Sequence, residues 1–556
     1  MEKKLVFIFI IFSVFVYLLR SIFFAADSGG IEHDSGWFLG VARNLAQRGI
    51  YASYTNTTSE EGKGAFISLH GRYSVQDEEG YSYFPAGVTA GPGFIVPQAL
   101  MMKLFGYDFW QFRLWSLISF TGLLFLIFLI SYNLGGLIAL VVVQLWLWSV
   151  PQLFIQFSYE SYGEHTALFY LLLSFYTFYL SYTSKKKKYI LITLSGLLFS
   201  LSVLTKYLFV ISGVGFGIIA LWQLLKQANK KEVIKSWGLW FAFFIIPIVF
   251  FELYRYLFLV TNFGTYAWQA TTDDFILHFK SNGGGFNLKS LDWNFIAKKA
   301  GFWEQVGVRF EIAWLSFLAL SYFYFKKVKE EKLVLNMLLY FAFISTSLWF
   351  IFASPFGWTR HVWHGLIIGM ILLITGITSM LKSKTSKLLF FIIFIVTVST
   401  GSLINRDNFE FGFLLNQDTI DSWHAKRNEK GIQGLPSNPI LSLKDQIGLK
   451  TFFSNNINDN DKVYYLGWLL VSEASPIVDK MFFSIDRYFK IGQINPNGGQ
   501  SYLIFGPYQK GKLSIVGLNY HDKKVAWLCQ EIVYENPSYT LCKLKSNLKY
   551  ENKAYE

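Results

Sequence analysis

The chain has 556 residues, of which 53% are hydrophobic, 19% aromatic and only 16% charged. That composition excludes an ordinary water-soluble globule and points to a bilayer. The formal charge of +13 does not bring nucleic acid with it, because the cations cluster between apolar runs and no basic patch with interleaved, base-stacking aromatics occurs.

Apolar stretches of about 20 residues, enough to cross about 30 Å of hydrocarbon, recur through most of the chain and then stop. Spans are expected at 5–24, 112–130, 137–157, 166–182, 189–204, 208–225, 237–260, 308–325, 333–353, 362–381 and 388–403, eleven in all. The first lacks a small-residue cleavage site ahead of a soluble chain, so it reads as a retained helix. Lys3 and Lys4 precede it; Lys185 to Lys188, then Lys226, Lys230, Lys231 and Lys235, then Lys326, Lys327, Lys329 and Lys332, then Lys382, Lys384 and Lys387 follow every second span. By the positive-inside rule all of these face the cytoplasm, which places the N-terminus inside and the tail outside. The expected fold is therefore a mainly α, polytopic transmembrane helical bundle over 1–405, with an extracytoplasmic domain over 406–556.

The first outside loop, 25–111, opens with an acidic cluster. Trp37, Phe38, Val41, Ala42 and Leu45 then recur at helical spacing, which predicts a helix lying on the membrane interface. After a hairpin-like excursion over 53–83, Gly91-Pro92-Gly93 leads into Phe94, Ile95, Val96, Leu100, Leu104 and Phe105, a second interfacial helix with Pro near its start. Strand-like runs at 462–466, 501–505, 525–533 and 539–544 make the tail a small mixed α/β domain. Its Cys529 and Cys542 are the only cysteines, and an oxidising compartment permits a bridge between them.

The outside face also carries the candidate chemistry. Glu32, His33 and Asp34 sit at the start of the first interfacial helix. A carboxylate there can take the proton from an acceptor hydroxyl, although Asp34 with Ser35 would equally serve to cap the helix. Glu160 and Glu164, one helical turn apart and followed by His165, could position an acceptor or share a divalent cation with the Asp34 cluster; acids in a first helical turn are also common for their own sake. Lys206, and Arg360 with His361 and His364, are cations or titratable groups on the face where the positive-inside rule leaves few. A phosphate at the lipid interface would explain them, as would snorkelling to headgroups. No P-loop, dinucleotide fingerprint or paired-cysteine motif appears. Neither an internal repeat nor a buried charge network of the kind transporters carry is evident.

His33-Asp34-Ser35-Gly36-Trp37-Phe38 running on to Ala42-Arg43-Asn44-Leu45 resembles the acidic–aromatic–Ala-Arg-Asn-Leu pattern of the C-type glycosyltransferase superfamily. Thr89-Ala90-Gly91-Pro92, Leu104-Phe105-Gly106 and Arg113 are similar to its second juxtamembrane helix, and Gly163-Glu164, Leu204-Thr205-Lys206 and Arg360-His361 follow in the expected order. Within it the pattern resembles the bacterial branch of protein O-mannosyltransferases and aminoarabinose lipid A transferases. The resemblance implies sugar transfer from a polyprenyl-phosphate donor to a lipid, glycan or protein acceptor at the outer face of the cytoplasmic membrane. It further implies Asp34 as the catalytic carboxylate; the expected chemistry is inversion, with Asp34 as general base, Glu164 assisting, and Glu32, His33, Glu160, Lys206, Arg360 and His361 binding substrate. No cofactor is required by the pattern; a divalent cation is the candidate. The chain departs from the aminoarabinose transferases in having no Lys before the Pro at 92, so Lys206 or Arg360 would have to meet the phosphate. A flippase of lipid-linked sugar and a non-catalytic envelope scaffold are the rival readings.

Overall fold

The computed structural model describes residues 2–27, 31, 33–54, 65–67, 73–85, 91–149, 161–184, 186–226, 228–281, 293–301, 314, 317, 330–354, 361–381, 383–404, 443–465, 474–484, 499–505, 529–536 and 538–545. Helix α1 (Glu2–Asp27) buries Val6, Ile10, Val14 and Tyr17 along one side and exposes Leu5, Ile8, Phe12 and Phe15 on the other. A helix apolar all round has protein on one face and lipid on the other. It packs on α4 (Leu114–Ser149). Within α4, Gly136 has φ 79°, a left-handed conformation that costs glycine little. The chain doubles back there: Tyr17 packs on Phe128 before the break and on Trp148 after it. One continuous run of helix is thus the two spans expected at 112–130 and 137–157, followed as far as Ser149.

Among the described residues, seven helices are long and apolar enough to cross a membrane: Lys4–Phe23, Gln111–Trp148, Lys188–Thr205, Tyr207–Lys226, Lys230–Phe263, Lys332–Ala353 and Trp363–Met380. The chain is a multi-pass membrane protein. The span expected at 166–182 is α5 (Glu164–Thr183), whose 20 residues reach about 30 Å but whose Ser, Thr and Tyr side chains dilute its apolarity. The last expected span coincides with α13 (Lys384–Ile404), and the one at 308–325 lies outside the described residues apart from Trp314 and Phe317.

Helix α5 packs on α6 (Lys188–Thr205), and α6 on α8 (Lys230–Phe263), with α7 (Val214–Lys226) beside them. Ser174 and Ser195 hydrogen-bond to one another's carbonyls at 2.8 and 3.0 Å, and Trp240 Nε1 donates to Ser195 Oγ at 3.2 Å. Polar bridges of this kind hold helices together where lipid offers no hydrophobic contrast. Helix α12 (Trp363–Met380), almost wholly buried, fills the centre between α4 and α11 (Glu330–Leu348).

At one end of the bundle lie the elements between α1 and α4. Helices α2 (His33–Arg48) and α3 (Pro92–Phe105) flank an antiparallel sheet of β1 (Ala52–Ser53), β2 (Ala65–Ile67), β3 (Tyr73–Gln76) and β4 (Ser82–Tyr83), in the order β1-β4-β3-β2. The hairpin-like excursion is this sheet. Helix α3 matches the interfacial expectation: Val96, Leu100 and Leu104, one turn apart, are exposed, while Phe94, Ile95, Gln98, Ala99 and Met102 are buried. Helix α2 differs, because everything from Ser35 to Asn44 is buried. The tail closes over it. Arg43 donates to the carbonyl of Pro476 and pairs with Asp479 at 3.2 Å; Asn44 Nδ2 donates to Ala52 O at 2.8 Å. Its polar residues are interior because each has a partner there.

The tail comprises α14 (Leu443–Asn456) and a five-stranded sheet of order β6-β5-β7-β9-β8, from β5 (Lys462–Tyr465), β6 (Phe482–Ser484), β7 (Ser501–Phe505), β8 (Cys529–Glu535) and β9 (Thr540–Leu544). Strands β6, β5 and β7 are parallel and the rest antiparallel, as a mixed α/β fold requires. Cys529 and Cys542 form a disulfide across the β8–β9 hairpin, with Cα atoms 5.6 Å apart. Replacing both with Ser is expected to cost about 2–4 kcal/mol of local stability through lost loop closure. Thermal melts of wild type and variant, each with and without dithiothreitol, check this: reductant should lower only the wild type, to the level of the variant.

Candidate functional site

The first turn of α2 meets the start of α5. Ser35 Oγ accepts a hydrogen bond from the Ser161 amide at 2.9 Å, and Ser116 Oγ lies 3.5 Å from Ser161 Oγ. The backbone of Asp34 is therefore fixed beside the segment that leads, three residues on, to Glu164. Glu32, Glu160 and Arg360 lie outside the described residues, as do the side chains of His33 and Asp34.

Glu164 opens α5 and is 2% exposed; Lys206, in the extended link after α6, is 8% exposed. Lys206 Nζ donates to Glu164 Oε1. The second carboxylate oxygen, Oε2, is buried without a hydrogen-bond partner among the described residues. Such an atom costs free energy unless something else binds it.

The two sequence patterns singled out around Gly91 and Lys206 touch directly. The Gly91 amide donates to Thr205 O at 2.7 Å. A Cβ on Gly91 would stand 1.9 Å from Leu204 O, and one on Gly93 would stand 2.3 Å from Thr205 Oγ1. Only glycine lets the start of α3 lie this close to the end of α6. Where the aminoarabinose transferases carry Lys before Pro, this chain brings a backbone into contact with the residue next to Lys206.

His364 stacks on Phe209 at 4.2 Å, its Nε2 lies 3.3 Å from Thr346 Oγ1, and it is near enough to feel the charge of Lys206. His361 is buried near Trp349, at 6.5 Å between rings. Glu164 and Lys206 are therefore paired, with His364 close enough to sense the charge of Lys206.

Two cations escaped sequence reasoning. Arg255 lies within the expected span 237–260, held by Glu252 at 2.8 Å and by the hydroxyls of Thr271 and Thr272 at 3.4 and 3.0 Å. It lines a cavity of about 70 Å³ together with Tyr51, Gly91, Pro92, Tyr207 and Glu252, so the cavity opens one residue from Lys206. Burial pushes the Tyr51 phenol well above its ordinary range, with Tyr207 and Tyr254 adding to the shift, and it stays a neutral hydrogen-bonding group. A charged pair inside an otherwise apolar span was the signal that marks such a site. The second is Lys299 in α10 (Trp293–Ala300), which donates to Ser354 O at 3.0 Å and whose burial lowers its pKa.

The segment before Asp34 is gripped by the tail. Gln446, fully buried in α14, accepts from the Ile31 amide at 2.7 Å and donates to the Ile31 carbonyl at 3.0 Å. Gln446→Leu strands both backbone groups at a cost of about 1–3 kcal/mol. Amide exchange at Ile31 is expected to rise about 10- to 100-fold, the same range in free energy; mass spectrometry of the exchanged peptides measures it.

No protein-family model and no curated protein sequence matches the chain. Among solved structures it is similar to ArnT from Cupriavidus metallidurans bound to undecaprenyl phosphate, with a TM-score of 0.56 at 12% identity over 99% of both chains. The apo state of the same protein gives a TM-score of 0.55 at 12% identity, over 98% of this chain and 99% of that one. The Archaeoglobus fulgidus oligosaccharyltransferase in complex with Zn and sulfate gives 0.48 at 12% identity, over 90% of this chain and 68% of that one. The fold is that of the ArnT structures. The likeness to ArnT takes in the elements between α1 and α4 and the tail as well as the bundle. Among the described residues, no group of three or more His, Cys, Asp or Glu side chains is placed to hold a metal ion.

Proposed function

We propose that this protein is an integral membrane glycosyltransferase of the cytoplasmic membrane. It moves a sugar from a polyprenyl-phosphate donor to an acceptor hydroxyl on the outer face, where the C-terminal domain, 406–556, also lies. The observation that carries this reading is the buried Glu164–Lys206 pair, set against Gly91 and Pro92 and one residue from the cavity that holds Arg255. The fold shared with a protein crystallised with undecaprenyl phosphate supports the donor class.

In the reaction, the acceptor oxygen attacks the anomeric carbon from the face opposite the phosphate. The bond from that carbon to the phosphate oxygen breaks, its electron pair stays on the phosphate, and the configuration inverts. Asp34 takes the acceptor's proton as the new bond forms. The departing lipid phosphate gains a negative charge, which Lys206 and Arg255 meet, with Arg360 and His361 completing the cationic surround. Glu164 holds Lys206 in place and, through Oε2, offers an acceptor for a substrate hydroxyl or one oxygen ligand for a divalent cation. Glu32, His33 and Glu160 would bind substrate.

The test is transfer by the purified protein in liposomes, given a panel of radiolabelled polyprenyl-phosphate sugars and an extract of envelope acceptors, with Asp34→Asn beside the wild type. Label that moves from lipid to acceptor only in the wild type supports the proposal. Label that crosses the bilayer without forming a new glycosidic bond overturns it in favour of a flippase.

A further inference from the structure

A second cavity, of mixed polar and apolar lining, lies at the opposite end of the bundle from Glu164 and Lys206. It measures about 380 Å³ and is enclosed by the ends of α5, α6, α7 and α8 that carry the lysine clusters. Ser181, Tyr182, Gln223 and Ser236 line it, with Lys188 and Glu232 among its walls. Ser236 is 7% exposed and its Oγ has no hydrogen-bond partner among the described residues; the same holds for the Tyr182 hydroxyl. Gln223 Oε1 accepts from Trp237 Nε1 at 2.8 Å, so one wall is prearranged. Two buried hydroxyls without partners, in a space this large, are suited to a ligand that brings hydrogen-bonding groups of its own.

The charge around the cavity is cationic. Lys188 pairs with Glu232 at 2.6 Å, and Lys235 stands 4.8 Å from the Tyr189 ring. Lys186, Lys187, Lys230 and Lys231 are exposed on the same two links. One carboxylate against six lysines leaves a positive field, which favours an anion. The surroundings say where that anion comes from. Ile190, Leu194, Leu221, Leu225 and Ile234, on the helices that form the cavity, are exposed large apolar side chains, the surface that acyl chains cover. Basic pockets between membrane helices at this depth hold anionic headgroups.

We infer that this cavity binds the headgroup of an anionic phospholipid bearing free hydroxyls. The phosphate lies at the lysines, the headgroup hydroxyls reach Ser236 and Tyr182, and the acyl chains lie along the exposed faces of α6, α7 and α8. The site is separate from the one proposed for sugar transfer and stands whether or not that proposal holds.

Native mass spectrometry of the full-length protein, released from detergent micelles doped with one lipid at a time, tests it. Phosphatidylglycerol is expected to leave a one-lipid adduct at least tenfold more abundant than phosphatidylcholine leaves, and glycerol phosphate without acyl chains is expected to leave none. Ser236→Leu, which fills the cavity, and Lys188→Gln, which removes a cation, are each expected to reduce the phosphatidylglycerol adduct about tenfold. Tyr182→Phe, which removes one hydroxyl and no bulk, should reduce it by a smaller factor, and this variant decides if either of the others does not fold. Equal retention of phosphatidylglycerol and phosphatidylcholine, or an adduct that none of the folded variants diminishes, overturns the inference. Binding of glycerol phosphate as strong as that of the lipid overturns the lipid source.

Discussion

Asp34→Asn is expected to lower turnover by about 10²- to 10⁴-fold, the range a general base contributes, with donor binding left nearly as it was. The amide is isosteric with the carboxylate and still offers an oxygen at the start of α2, so a capping role survives the change while proton removal does not. The backbone there is anchored independently, by Ser35 against Ser161 and by Gln446 against Ile31, and the helix should keep its place. Single-turnover transfer from a labelled polyprenyl-phosphate sugar, with donor affinity measured separately, separates the outcomes. Turnover within threefold of wild type would leave Asp34 as a cap and nothing more.

Lys206→Met should be the more damaging change to the folded protein. It leaves the Glu164 side chain buried and without its cation, and breaking a buried pair in this way costs about 3–5 kcal/mol. Changing both residues, Glu164→Gln with Lys206→Met, removes the uncompensated charge, and stability should return most of the way to wild type. Transfer should not return, because the positive charge that meets the leaving phosphate is gone. The two readouts are the thermal melt in detergent and the transfer rate. A double variant that regains both would make the pair a structural element only.

The parts of the fold that are written locally were legible in the sequence. Apolar runs located the long helices among the described residues, and β5 and β7 were visible as short runs of Tyr, Val, Leu and Ile. Gly91-Pro92 announced the start of α3. What was not legible depends on distant partners. The apolar residues of α2 follow helical spacing and suggest one buried face, yet Gly40, Arg43 and Asn44 are buried too. Arg43 is there because Pro476 and Asp479 satisfy it, residues that no local pattern ties to it. Strand β6, with three residues, is too short to show alternation. At the candidate site, Glu164 and Lys206 were each identifiable from their position, but their pairing with one another follows from tertiary packing. Arg255 was hidden because the apolar residues around it made the whole segment read as a span.

The grip of Gln446 on Ile31 also bears on how the protein is made. The two residues are 415 positions apart, and on the proposed topology every span but the first is threaded between them. A ribosome will have delivered the acidic cluster and α2 long before α14 exists to hold them. The proposed catalytic turn is therefore among the last features to be completed during biogenesis, after the tail has crossed to the same side. On the proposed function, a nascent or truncated chain that carries all of its spans but lacks α14 should be inert.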